Sequence, residues 1–179
     1  KAYDPFLTDK RVQTLGIERF KTLEKLIRES DIISLHIPKT DKTTNIINAS
    51  LIKKMKSTAI LINCARGGLV DETALANALS KKSIAAAAFD VFGSEPAVEN
   101  ALFGLDNVVC TPHLGASTSE AQVKVAVQVA QQIADYLQEG TITNSINSPS
   151  ISAAEAPLLK PWVKVSNVLG GFIGQVVET

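Results

Sequence analysis

Three side chains in this sequence are of the types that move protons and grip carboxylates: Arg66, Glu95 and His113. Each lies just past an apolar run that reads as a strand. Arg66 stands in Asn63-Cys64-Ala65-Arg66-Gly67-Gly68-Leu69-Val70-Asp71-Glu72, after Ala59-Ile60-Leu61-Ile62. Glu95 follows Ala88-Phe89-Asp90-Val91-Phe92, and His113 sits in Thr111-Pro112-His113-Leu114-Gly115-Ala116-Ser117-Thr118. A guanidinium can pair bidentately with a carboxylate and polarise the adjacent carbonyl. An imidazole exchanges protons near neutral pH. A carboxylate beside it fixes its orientation and favours its charged form. Singly, each has a plainer reading: a surface arginine flanking a helix, a loop acid, a capping histidine. The glycine pair after Arg66 favours close backbone approach, and the three together predict a catalytic constellation.

Two further acids are candidates for binding. Asp4 ends the first visible strand, where dinucleotide-binding folds place an acid that accepts from ribose hydroxyls and repels a 2′-phosphate. Its plainer reading is a turn residue before Pro5. Asp90 closes an otherwise apolar strand, and such burial is costly without a partner. A cofactor carboxamide or ring nitrogen would supply one, as would a backbone contact. The second histidine, His36, lies in the apolar run Asp31–Ile37 and reads as structural.

The elements that must position these residues alternate. Strands are expected at Lys1–Asp4, Ile17–Phe20, Asp31–Ile37, Ala59–Cys64, Ile84–Val91 and Asn107–Thr111. Helices are expected from Thr8, Thr22, Asn48 and Asp71, the first three ending near Leu15, Arg28 and Lys56 and the last near Lys81. This is an α/β pattern, a Rossmann-like doubly wound parallel sheet covered on both faces. A long helix runs from Ser117 or Thr118 to Glu139, with Ala121, Val125, Val129, Ile133 and Leu137 as a buried stripe. The Ser, Thr, Asn and Pro content of 141–156 reads as a linker. Leu158 to Val177 has amphipathic helical spacing, although Gly170 and Gly171 each cost about 1 kcal/mol in a helix interior. The organisation expected is therefore a partial cofactor domain over 1–116, a long helix over 117–140, a linker over 141–156 and the start of a further domain over 157–179.

Bulk properties narrow the classes. The 179 residues carry 18 Lys plus Arg against 18 Asp plus Glu, so no basic excess points to nucleic acid and no charge block to a membrane surface. No apolar run approaches the roughly 20 residues that span a bilayer. Cys64 and Cys110 have no metal-ligand spacing, so no metal is expected, and a reducing cytoplasm is the expected location. The chain opens on Lys1 and its one methionine is Met55, which reads as a piece of a longer protein. No G-x-G-x-x-G occurs, although that turn belongs about 20 residues before Asp4.

Together with Ser30-Asp31-Ile32-Ile33-Ser34-Leu35-His36-Ile37-Pro38, the motifs above resemble the D-2-hydroxyacid dehydrogenase family from Lys1 to about Gly140. Asn63-Cys64-Ala65-Arg66, His113 to Thr118 and the tail from Asn147 to Val163 resemble its long-form branch that oxidises 3-phosphoglycerate in serine synthesis. The resemblance implies NAD-dependent hydride transfer on a small 2-hydroxy acid. Arg66 would hold the substrate carboxylate, His113 would exchange the hydroxyl proton, and Glu95 would keep His113 protonated when required. Asp4 would bind the adenine ribose, implying NAD over NADP, and Ile37 and Pro38 would line the adenine side. Cys64, Ala65 and Arg66 would border the nicotinamide ribose and ring, and Asp90 would accept from the carboxamide. Gly115 and Ala116 would approach the cofactor through backbone. It also implies a homo-oligomer, dimer or tetramer. Without its first βα unit and substrate domain, the chain by itself is expected to be inactive. The alternatives are a dehydrogenase for glyoxylate, hydroxypyruvate or lactate, and a non-catalytic NAD-sensing corepressor-like relative.

Overall fold

A computed structural model of the chain describes residues 1–147, 151 and 155–177. They form two compact units, Lys1–Ser117 and Thr118–Thr179. In the first, α1 (Asp9–Leu15), α2 (Leu23–Glu29), α3 (Ala49–Ile52) and α4 (Glu72–Ser80) alternate with β1 (Ile32–Leu35), β2 (Ile60–Asn63), β3 (Ala86–Phe89) and β4 (Val108–Cys110) in the order α1-α2-β1-α3-β2-α4-β3-β4. The strands form one parallel sheet in sequence order. This is the α/β parallel architecture expected from the alternation of the elements.

The helix starts follow the capping residues. Thr8, Thr22, Asn48 and Asp71 each accept a backbone N–H of the first turn through a side-chain oxygen, satisfying donors that have no partner within the helix. Gly16 closes α1 in the left-handed conformation, at φ +61°, as a residue without Cβ does at least cost. The third helix is shorter than expected: α3 is a single turn that passes into turns rather than continuing to Lys56.

Alternate strand residues turn into a core formed by Ile33, Leu35, Leu61, Ala87 and Phe89. Ile27 of α2 and Leu75 and Leu79 of α4 are fully buried against it. Burying one such side chain contributes about 1.5–3 kcal/mol. The opposite face is only partly covered, and Ile32 and Val109 are exposed on it. Ile60, Ile62, Ala86 and Ala88 are half-buried on that face. The expected strands at Lys1–Asp4 and Ile17–Phe20 reduce to a single bridge between Ala2 and Arg19 outside the sheet.

In the second unit, α5 (Ser119–Glu139) is capped by Thr118 and stopped by Gly140 at φ +66°, as its end signals predict. Its apolar stripe is not buried: Val125, Val129, Ile133 and Leu137 are all exposed, since a stripe needs an apposed surface and the described residues supply none. Thr141 is buried, and Ile142 pairs with Ile151 as an antiparallel bridge. Then α6 (Ala156–Val176) runs through Pro161, Gly170 and Gly171. No helix among the described residues is long and apolar enough to cross a membrane.

Candidate active site

Leu35, Asn63, Phe89 and Cys110 lie side by side in register, so all four strands end on one line. Every candidate residue except Asp4 follows one of these ends. That edge is where open α/β sheets bind ligands.

Beyond β2, the buried Asn63 builds the turn that presents Arg66. Its Oδ1 accepts from the Ala65 N–H at 3.1 Å, and its Nδ2 donates to the Arg66 carbonyl at 3.0 Å. The Arg66 side chain is exposed, and its Nη1 donates to the Ala65 carbonyl at 2.6 Å. Among the described residues no carboxylate forms an ion pair with it. Gly67 then passes under the Phe92 backbone. Gly68, at φ +76°, lies beside the Lys39 side chain.

Beyond β3, the loop bearing Glu95 is tied at two points. The Phe92 N–H donates to Glu95 Oε1 at 2.9 Å, and the Gly93 N–H donates to Glu72 Oε1 at 2.9 Å. Glu72 Oε2 also accepts from Asn100 Nδ2 at 2.6 Å. The Phe92 ring meets Phe103 edge-on at 5.3 Å, a favoured arrangement of aromatic pairs.

Beyond β4, His113 occupies the left-handed region at φ +59°. Its Nδ1 lies 2.7 Å from Glu95 Oε2. Hydrogen bonds from His113 first, and from the Phe92 N–H second, hold the Glu95 carboxyl below its ordinary value against a smaller opposing effect of burial. Asp90 is 7 % exposed. Burial is the largest single influence and pushes its pKa up. The Thr111 hydroxyl, the Leu114 and Gly115 N–H groups and the charge of His113 together outweigh it, and the net shift is downward. Cys110 is pushed up, by burial first and by Glu72 second, so its thiol stays protonated and unreactive at neutral pH.

Arg66, Glu95 and His113 line one recess of about 230 Å³, together with Lys39, Gly67 and Phe92. A second recess of about 490 Å³ shares Glu95 and His113 and is otherwise formed largely by Phe92, Pro96, Ala97, Phe103, Cys110 and Pro112. The remaining candidates are more dispersed. Cys64 is exposed and Ala65 half-buried past β2, and Gly115 and Ala116 follow His113 in an exposed loop. Ile37 packs partly on the core. Pro38 is exposed, and its carbonyl accepts from Thr43 Oγ1 at 2.7 Å. Asp4 is exposed, and its Oδ1 accepts from the Phe6 N–H at 2.8 Å, leaving Oδ2 without a protein donor among the described residues. His36 is exposed just past β1, with Nε2 2.8 Å from Ser34 Oγ. Sequence reasoning missed Lys39, whose position directly after Pro38 at a strand end was the available signal. It also assigned no role to Asn63, Glu72 or Thr111, although each stood in a quoted motif.

Residues 1–115 match the NAD binding domain of the D-isomer specific 2-hydroxyacid dehydrogenases. The chain belongs to this family. Its relatives include D-3-phosphoglycerate dehydrogenases from Synechocystis sp. (46% identical over 98% of this chain and 31% of that protein) and Methanocaldococcus jannaschii (43%, 98% and 34%). The chain thus spans about a third of the length of these curated relatives. Among solved structures, apo D-mandelate dehydrogenase of Rhodotorula graminis superposes with a TM-score of 0.71 at 28% identity, over 84% of this chain and 44% of that one. The family's domain binds a nicotinamide dinucleotide, and the residues past the strand ends suit one. The turn Cys64–Arg66 is held by the Asn63 side chain, and Asp90 Oδ2 has accepted one of the two bonds it can take.

Proposed function

We propose that this chain is a fragment of an NAD-dependent D-3-phosphoglycerate dehydrogenase, which oxidises 3-phosphoglycerate to 3-phosphohydroxypyruvate in serine synthesis. The observation that carries the reading is the 2.7 Å Glu95–His113 pair lining the same recess as an Arg66 guanidinium with no carboxylate of its own. Relatives at up to 46% identity bear that name.

Arg66 holds the substrate carboxylate by two parallel N–H···O bonds and so fixes the C2 hydroxyl. The His113 Nδ1 edge faces Glu95, which leaves Nε2 to take the hydroxyl proton. Glu95 holds the ring in orientation and stabilises the imidazolium that results. Bound NAD supplies the hydride acceptor. Cys64, Ala65 and Arg66 would border its nicotinamide ribose and ring, Gly115 and Ala116 would approach it through backbone, Ile37 and Pro38 would line its adenine side, and Asp90 would accept from its carboxamide. Asp4 Oδ2 takes the ribose hydroxyls, and its charge disfavours a 2′-phosphate.

The parent protein acts in the cytoplasm as a homo-oligomer, dimer or tetramer, for which the exposed stripe of α5 offers an apolar face. Residues 1–116 serve as a partial cofactor domain, 117–140 as the helix at the domain and dimer junction, 141–156 as linker and 157–179 as the start of a further domain. The test is a substrate panel on the full-length gene product. The expected result is NAD reduction with 3-phosphoglycerate at a higher kcat/KM than with D-lactate or glycerate. A higher kcat/KM on another 2-hydroxy acid reassigns the substrate, and NAD binding without turnover of any refutes the enzyme reading.

A further inference from the structure

His113 stands in the left-handed backbone region, at φ +59°, which a residue with a Cβ adopts uncommonly. The structure shows what imposes it. The Asp90 carboxylate takes three hydrogen bonds, all from the five-residue segment that contains His113. Its Oδ1 accepts from Thr111 Oγ1 at 2.5 Å and from the Leu114 N–H at 2.7 Å, and its Oδ2 accepts from the Gly115 N–H at 3.0 Å. The donors bracket His113 on both sides. The segment has two further backbone hydrogen bonds, from the Thr111 N–H to the Phe89 carbonyl and from the Ser117 N–H to the Leu114 carbonyl, each at 2.9 Å.

We propose that Asp90, besides any contact with the cofactor, is the positioning residue for His113: its carboxylate is the template on which the left-handed turn closes. The inference rests on the catalytic assignment of His113 above. Three acceptor sites of fixed relative position are needed, and a carboxylate at the end of a buried strand provides them. Oδ1 is saturated by two donors, which leaves one place on Oδ2. An amide of the same shape would set an N–H against the N–H of Gly115 or of Leu114, so charge and shape separate cleanly in a variant. Gly115 contributes at the same point, since a Cβ there would touch Asp90 Oδ2 at 3.4 Å.

The test compares Asp90→Asn and Thr111→Val with wild type in the full-length gene product. Three quantities are read: kcat, the dissociation constant of NAD, and the hydrogen-exchange rates of the Leu114 and Gly115 amides. Misplacing a reacting group by about 1 Å can cost about a hundredfold in rate. Asp90→Asn is expected to lower kcat tenfold to a hundredfold. It should also speed exchange at Leu114 and Gly115 at least tenfold. Thr111→Val, which removes one donor from Oδ1 and touches no cofactor group, should show the same pattern at smaller size with the NAD dissociation constant changed less than threefold. Unchanged exchange at both amides in Asp90→Asn, or a kcat loss in Thr111→Val matched by equal loss of NAD affinity, overturns the proposal. If wild type turns over no 2-hydroxy acid, the functional reading fails. The exchange rates then decide whether Asp90 holds this turn.

Discussion

A Cβ added to Gly67 would lie 1.6 Å from the Phe92 carbonyl oxygen. The loops carrying Arg66 and Glu95 are therefore in backbone contact, and no side chain fits between them. Both atoms of that contact belong to main chain, so no rotamer change relieves it. Gly67→Ala is expected to destabilise the first unit by about 1–3 kcal/mol, the usual cost of overpacking, and to separate Arg66 from Glu95. Thermal unfolding of the variant together with its KM for the carboxylate substrate checks both. An unchanged Tm and KM would show that the two loops part freely.

Removing the proton carrier separates chemistry from binding. General acid–base groups contribute about 10²–10⁴-fold, so His113→Asn should lose at least a hundredfold in kcat while holding NAD at wild-type affinity. Glu95→Gln preserves the shape of the Glu95–His113 contact but removes the charge. It should lose less in kcat than His113→Asn, because the base remains and only its orienting charge is gone. A kcat equal to wild type would remove Glu95 from the mechanism.

Asp90 and Glu95 are both held below ordinary carboxyl values of 3.8 and 4.5. Such groups bind fewer protons folded than unfolded. Their contribution to stability is fully present above the unfolded values and is lost as pH falls through the folded ones. Urea unfolding is expected to show little dependence on these groups at neutral pH and a progressive loss below about pH 5. Asp90→Asn should flatten that loss more than Glu95→Gln, because the Glu95 side chain is 32% exposed and solvent screens it.

Capping residues, strand alternation and the placement of Arg66, Glu95 and His113 just past strand ends were legible because each depends on local chemistry. Thr8, Thr22, Asp71, Thr118, Gly16 and Gly140 act within a few residues of themselves, so spacing alone places the helix ends. Burial is not local. The stripe of Val125, Val129 and Ile133 has the period of a buried face, yet period says nothing of whether a surface is there to meet it. Asp90 shows the same limit inside the site. Its need for a partner followed from its apolar strand, but the three donors come from residues 21 to 25 positions downstream. Lys39 escaped notice although it follows Pro38 at a strand end, because only the folded chain lays it over Gly68.

Lys39 shares the small recess with Arg66, and its ammonium has no carboxylate partner among the described residues. A substrate with a single carboxylate needs one cation there, whereas one with a phosphate as well profits from two. A charge-assisted hydrogen bond contributes about 1.5–3 kcal/mol, and an exposed ammonium delivers the lower part of that range. Lys39→Met keeps the length of the stem across Gly68 and removes the charge. It is expected to raise KM for 3-phosphoglycerate about tenfold with kcat and NAD affinity unchanged, and to leave KM for D-lactate within about twofold, since roughly 1.4 kcal/mol corresponds to a factor of ten. Steady-state kinetics on both substrates decide it. An equal rise for the two would place Lys39 at the carboxylate beside Arg66, and no rise for either would leave it a surface lysine that packs on Gly68.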